Sequence, residues 1–423
     1  MQKLLCSFLL FGALFSSAYA LDLRGAYQAA KENDPQYKSA EFLYQAAQEK
    51  LPQARALLLP TLTASGSTTR TQKQNEARVT NKIYKLELKQ PLFNLASISL
   101  YQEAELTVAN DQISFAQSQQ DLILRVATAY FDVLSAIDAL SFQESQKKAI
   151  AEQLAAAKRN FEVGAATITD THEAQSRFDL AKAQELFALN DLAIKRHALE
   201  QLIGKNAPAV AKLKNKIALP TPEPKELTSW VNLAEQQNYG VQSATLALKI
   251  AQKEILKSQA SLAPTVDLFI NRGRITQNQA DLSNNVGISW NMPLFSGFSS
   301  HSQIQSAYLL KEKTQADLNN AKRKAKEQAH QFYLGVYNTI AQINALEAAE
   351  TSSQSSLEAN QLGYQVGVRI NIDVLNAQQQ LFSTRRDLAR ARYDAILQSL
   401  KLKSATATLR EEDIDQINQL LQN

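Results

Sequence analysis

Cysteine is almost absent: the 423-residue chain holds one, Cys6, so no disulfide can form within it. Histidine is nearly as scarce, and the four present, His172, His197, His301 and His330, fall into no metal-ligand spacing. There is also no H-E-x-x-H, no nucleophile elbow and no phosphate-cradling glycine loop. No enzymatic activity, cofactor or metal is therefore expected. Beyond Leu21 no stretch offers the roughly eighteen consecutive apolar residues that a transmembrane helix needs. Any membrane contact must then be made by β-strands. An excess of one charge is lacking too, since 45 Lys+Arg against 41 Asp+Glu leaves a formal net charge of +4. The densest basic run, Lys322-Arg323-Lys324 with Lys326, sits in a helical stretch where a solvated face explains it, so no nucleic-acid partner is called for.

Proline and glycine are missing over long distances. All ten prolines fall outside residues 92–207 and 294–423, and residues 92–163 contain neither proline nor glycine. Such stretches, rich in Ala, Leu, Gln, Glu and Lys, predict very long helices. A helix of about 65 residues is roughly 100 Å long at about 1.5 Å per residue. No ordinary globular core needs that length; a fibre, a coiled coil or a tube does.

What is present begins with a leader. Lys3, the apolar run Leu4 to Phe15 and the small-residue site Ala18-Tyr19-Ala20 read as a secretory signal peptide over 1–20, leaving Leu21 first. Its removal takes the charge from +4 to +3. Cys6 precedes the apolar run instead of following it, so the exported chain is expected to carry neither thiol nor lipid anchor.

Within the first long helix Val126, Tyr130, Val133, Ile137 and Leu140 step by four and three, the seam of helices packed side by side. An offset of 203 carries the last four onto Tyr333, Val336, Ile340 and Ile343. The same offset relates Phe161-Glu162-Val163-Gly164 and Asp170 to Tyr364-Gln365-Val366-Gly367 and Asp373. Pro60-Thr61 and Pro91-Leu92-Phe93 recur as Pro264-Thr265 and Pro293-Leu294-Phe295. The chain is read as two copies of one unit, over 21–207 and 225–423, joined by a proline-rich linker over 208–224.

Between those Pro-Thr and Pro-Leu-Phe landmarks the period changes to two. Tyr84, Leu86 and Leu88 alternate with Lys85, Glu87 and Lys89; Val266, Leu268 and Ile270 form one strand face; Val286, Ile288, Trp290 and Met292 alternate with polar neighbours. Combined with export, this favours membrane β-hairpins over half-buried soluble ones, with Trp290 suited to an aromatic girdle. Two hairpins give four strands, whereas closed outer-membrane barrels begin at about eight, so several chains must contribute. Two copies give eight strands and three give twelve, and the strand count does not choose between them.

These residues resemble the TolC-type outer-membrane efflux proteins, or outer membrane factors. The resemblance runs from Asn33-Asp34-Pro35 through Leu59-Pro60-Thr61-Leu62 and Ala127-Thr128-Ala129-Tyr130-Phe131. Its most specific parts are Val163-Gly164 with Ile168-Thr169-Asp170, and Gly363-Tyr364-Gln365-Val366-Gly367-Val368-Arg369 with Asp373-Val374-Leu375. It implies a mainly α fold with membrane β: a homotrimer whose 12-stranded β-barrel, four strands per chain, continues as a long α-helical barrel through the periplasm. It also implies an exit duct for tripartite efflux or type I secretion, in the outer membrane of a Gram-negative bacterium. By similarity Tyr364 and Arg369 would link to Thr169 and Asp170 and keep the inner tip shut. Asp373 would ring the constriction, where Asn376 replaces a second acid of the family pattern and weakens cation selectivity. Val163, Gly164, Val366 and Gly367 would meet a periplasmic adaptor that couples the duct to an inner-membrane RND or ABC transporter. The competing reading is an exported coiled-coil scaffold without a pore.

Overall fold

The computed structural model describes residues 20–72, 74, 78–164, 166–207, 209–214, 221–276 and 280–422. The expected leader up to Tyr19, with Cys6, lies outside the described residues, as do Pro208 and residues 215–220 of the linker. Among them α1 (Leu23–Asn33), α2 (Pro35–Gln48) and α3 (Lys50–Ala56) precede β1 (Thr61–Thr71) and β2 (Val79–Phe93), followed by α4 (Leu95–Glu162) and α5 (Ile168–Ile203). The order then repeats as α6 (Leu227–Gln237), α7 (Tyr239–Ala260), β3 (Thr265–Thr276), β4 (Ala280–Asn291), α8 (Ser299–Gln365) and α9 (Asn371–Ala405), closed by α10 (Glu411–Asn418). One difference between the copies has a simple cause. Pro52 has no N–H and its ring crowds the carbonyl four residues back, so α2 stops at Gln48; α7 has Leu256 in the equivalent turn and runs unbroken for 22 residues.

The proline-free stretches form α4 and α8, of 68 and 67 residues, each roughly 100 Å long at about 1.5 Å per residue. Length on that scale requires different partners along the way. Near its start α4 meets α3 and α7 through Lys50–Asp111 at 2.9 Å, Ser243–Asn110 at 2.7 Å and Lys253–Gln102 at 2.8 Å. Further along it pairs with α5, through Gln143–Gln184 at 2.7 Å and Lys147–Glu185 at 2.5 Å.

The largest core lies at the waist between those two regions. Leu23, Ala26 and Ala30 of α1 pack with Leu122, Val126, Tyr130 and Leu134 of α4, Leu199 and Ile203 of α5, Ile396 and Leu400 of α9, and Ile414 of α10. The heptad seam read from the sequence is therefore buried: Val126, Tyr130 and Val336 are fully enclosed, and Ile137 and Ile340 pack at the edge. The Tyr130 hydroxyl lies 3.0 Å from the Leu21 carbonyl and 2.9 Å from that of Ala211, tying the segment before α1 to the segment after α5. Backbone bridges Leu21–Val210 and Leu213–Leu421 lace the latter segment to the residues before α1 and after α10.

Beyond the waist the four strands form one antiparallel sheet in the order β1-β2-β3-β4. Residues facing each other across antiparallel strands point to one side. Leu62, Leu88, Ile270 and Val286 stand in one row and Ala64, Leu86, Arg272 and Asn284 in the next, while Thr63, Glu87, Asn271 and Asn285 occupy the row between. One face is thus apolar over much of its height and the other is polar. Val286, Ile288 and Trp290 are 72%, 64% and 74% exposed, so none of the described residues covers that face there.

Asp34 and Asp413 are the buried carboxylates among the described residues, and Asp34 lies at the waist beside Arg125. Its side chain caps α2 by accepting from the Tyr37 N–H at 3.0 Å and takes both Arg125 guanidinium nitrogens, at 3.2 and 2.6 Å. Burial pushes this carboxyl up, but Arg125 and the Tyr37 N–H together outweigh burial and hold it below its ordinary value. A depressed carboxylate stabilises above its unfolded pKa and loses that contribution as pH falls through the folded one. Asp34→Ala is expected to cost about 3 kcal/mol at pH 7, and less below about pH 4. Thermal unfolding followed by helical circular dichroism at the two pH values checks both statements.

Candidate gate at the helical tip

At the end opposite the sheet the chain reverses twice, between α4 and α5 and between α8 and α9. The second reversal is a Schellman motif: Val368 N–H donates to the Gly363 carbonyl at 2.9 Å and Gly367 N–H to the Tyr364 carbonyl at 3.2 Å. The first shares its inner bond, Gly164 N–H to the Phe161 carbonyl at 3.0 Å. Gly164 and Gly367 take φ of +73° and +82°, and a Cβ at either would meet nothing within 4 Å. Backbone handedness alone thus requires glycine at both turns. Gly363 is required for another reason, because a Cβ there would come within 2.6 Å of the Arg369 Cγ.

The helices that leave these turns are capped unequally. Thr167 and Asp170 form a capping box on α5: Asp170 N–H donates to Thr167 Oγ1 at 3.2 Å, and Thr167 N–H donates to the Asp170 carboxylate at 3.0 Å. Asp373 holds the same third position on α9 and accepts from Ile370 N–H at 3.4 Å. Ile370 has no hydroxyl to return the bond, so only half of the box exists there. Both carboxylates also sit at positive helix N-termini, which favour them.

The sequence-predicted site residues all lie at this tip, but the predicted links are not made within one chain. Asp170 is engaged by Thr167, and Thr169 begins α5 beside it. Tyr364 instead accepts at its hydroxyl from Asn160 Nδ2 at 3.2 Å, and Arg369 faces Asp373 at 3.8 Å. Asn376 accepts from Arg177 Nη2 at 3.2 Å, while the Arg177 Nη1 donates to Gln379 at 3.0 Å. Gln153 donates to the buried Asn371. The polar contacts joining the two helix pairs at the tip are therefore bonds from the side chains of Asn160, Gln153 and Arg177. Sequence reasoning missed these three, since their partners lie about two hundred residues away and nothing in local spacing marks them. Val163 and Val366 are 78% and 65% exposed, and Val368 and Ile370 extend the same uncovered apolar surface.

The sequence profile of the outer membrane efflux proteins matches this chain twice, over residues 26–205 and 230–408, the two halves of the repeated architecture. The chain belongs to the outer membrane efflux protein family. It is 32% identical to the outer membrane protein TolC of Escherichia coli (strain K12) over 96% of this chain and 86% of that protein. It is 31% identical to the alkaline protease secretion protein AprF of Pseudomonas aeruginosa over 96% and 89% of the respective chains. The crystal structure of VceC from Vibrio cholerae shares the fold, with a TM-score of 0.81 at 18% identity over 91% of this chain and 96% of that one. As a member of this family the protein resides in the outer membrane of a Gram-negative bacterium, its helices in the periplasm. The family is one of channels and not of enzymes, which sets aside the scaffold without a pore. No described helix is long and apolar enough to cross a membrane.

The left-handed glycine turns give a local prediction. Gly367→Ala places a side chain at φ +82° and is expected to cost about 1 kcal/mol, accelerating amide exchange over 362–372 roughly fivefold. Amides of 122–134 at the waist should be unchanged; hydrogen exchange with mass spectrometry reads both regions in one experiment.

Proposed function

We propose that three copies of this chain, each read as repeats 21–207 and 225–423 about the linker 208–224, assemble into a channel-tunnel. The observation that carries the reading is a four-stranded sheet with one apolar face, one polar face and two open edges, continuous with four long helices. In lipid, unpaired edges are costly, so β1 of one copy must pair with β4 of the next until the sheet closes. Eight strands close into a barrel whose interior side chains fill. A duct needs more, and twelve is the next multiple of four. The polar rows with Thr63, Glu87, Asn271 and Asn285 then line water and the rows with Leu88, Ile270 and Val286 face lipid.

The duct serves as an outer-membrane exit for tripartite efflux and type I secretion. It opens when a periplasmic adaptor and an inner-membrane RND or ABC transporter engage its tip. The exposed Val163 and Val366, beside Gly164 and Gly367, supply an apolar surface for adaptor helices. At rest Tyr364 and Arg369 meet Thr169 and Asp170 of neighbouring copies. Bonds of this exposed kind are worth about 0–1 kcal/mol each, which suits a closure that must yield. Asp373 and Asn376 form the constriction, and Arg177 holds Asn376 from behind at 3.2 Å. A cation beside a neutral amide weakens the field that would favour cations there.

Single-channel recording in planar bilayers tests the reading. Wild-type protein is expected to give small steps and Arg369→Ala steps several-fold larger. Well-folded oligomers of both that conduct nothing would sink the channel. In the same apparatus Arg177→Gln is expected to move the reversal potential in a salt gradient toward cation selectivity; an unchanged potential removes Arg177 from the constriction.

A further inference from the structure

The apolar face of the sheet ends in unbalanced charge. Register parity puts Arg70, Lys82, Arg272 and Arg274 on the face of Tyr84, Leu86 and Leu88, all toward the hairpin ends and all exposed. The acids Glu87 and Asp267 take the other parity: Glu87 stands opposite Thr63 and Asn271, and Asp267 opposite Ser289. The ion pairs Lys85–Glu87 and Lys89–Asp267 likewise belong to the polar face. A face that turns toward hydrocarbon thus finishes with four cations and, among the described side chains, no carboxylate.

Two of these cations border a groove. Arg272 is level with Leu86 and Ala64, and Arg274 with Tyr84 and Gly66. Because Ala64 and Gly66 project little or nothing, a groove of about 500 Å³ opens beside Tyr84, Leu86 and the two arginines. Its height fits the membrane boundary. The steps from Phe93 to Tyr84, at about 3.3 Å each and a tilt of about 40°, cover roughly 23 Å against an apolar band about 25 Å tall.

We propose that Arg272 and Arg274, with the groove over Ala64 and Gly66, bind a phosphorylated lipid of the outer leaflet. The acyl chain lies on the apolar floor and the planar guanidinium groups take the phosphate, a geometry in which arginine excels. Lys82, one row further out, adds attraction for an anionic headgroup. The site rests on the reading of the sheet as part of a membrane barrel.

Titration of purified, bilayer-conducting protein in detergent with dioleoyl phosphatidic acid, read by native mass spectrometry, tests the site. One retained lipid per chain is expected, with retention at least tenfold weaker in the double variant Arg272→Ala/Arg274→Ala. Ala64→Trp, which fills the groove and leaves every charge in place, is expected to lose the lipid to a similar degree; each variant is first checked for conductance. Dioleoyl phosphatidylcholine should be held at least tenfold less well than phosphatidic acid, and millimolar inorganic phosphate should not displace the lipid. Equal retention of the two lipids by wild-type protein, displacement by inorganic phosphate, or undiminished binding in a conducting variant overturns the proposal. Protein that conducts but retains no lipid sinks this site alone, whereas protein that forms no pore sinks the barrel on which it depends.

Discussion

Every backbone N–H and C=O that enters hydrocarbon must be hydrogen-bonded by the protein itself, and in this chain that demand falls on the outer edges of β1 and β4. Neither edge has a partner among the described residues. In the assembly proposed above, closure by further copies carries consequences down the whole molecule. Each copy brings α4, α5, α8 and α9 beneath its strands, and the symmetry of the barrel is imposed on the helical wall and on the turns at its far end. A side chain at the tip, such as Asp373, is thereby repeated around an axis without any local feature having to specify the ring.

The free energy of the fold is distributed to match this plan. At the waist α1, α4, α5, α9 and α10 share one continuous apolar core, and the pair of Asp34 with Arg125 is almost closed to water at its carboxylate. Toward the tip the core breaks into small groups, Ile150 with Ala181 and Leu375, then Leu154 with Ala157 and Ala174. Small groups bury less area, and at about 25 cal/mol per Å² they hold their helices less firmly. Exposed polar links such as Asn160–Tyr364 then carry a larger share of the local cohesion. A long tube with a firm collar and a loosely held end can change at the end without unfolding elsewhere.

The architecture was legible because long-period features dominate it. Proline-free stretches marked α4 and α8, period-two runs marked β2, β3 and β4, and the offset between Tyr130 and Tyr333 exposed the duplication. β1 was less legible, since Thr61 to Thr71 is mostly small and polar on one face and carries Ala64 and Gly66 on the other. The tip was legible in its residues but not in its bonds. Asp170 and Asp373 invite long-range pairing, yet each is used by the helix it begins, and a cap costs less to form than a link between distant helices. Arg177, Gln153 and Asn160 look like ordinary helix-surface residues, and only the packing of α4 and α5 against α8 and α9 gives them partners.

The two copies also show how a duplicated unit acquires unequal halves. Thr167 and Ile370 stand at equivalent helix starts, and the change from hydroxyl to alkyl removes an N-cap bond worth about 1 kcal/mol. It also leaves Ile370 61% exposed beside Val366 and Val368. The second turn therefore leads into a less fully capped helix and is more apolar than the first. A partner that covers apolar surface gains more by binding the second turn. Inequality of this kind gives two otherwise matched hairpins different surfaces to offer a partner.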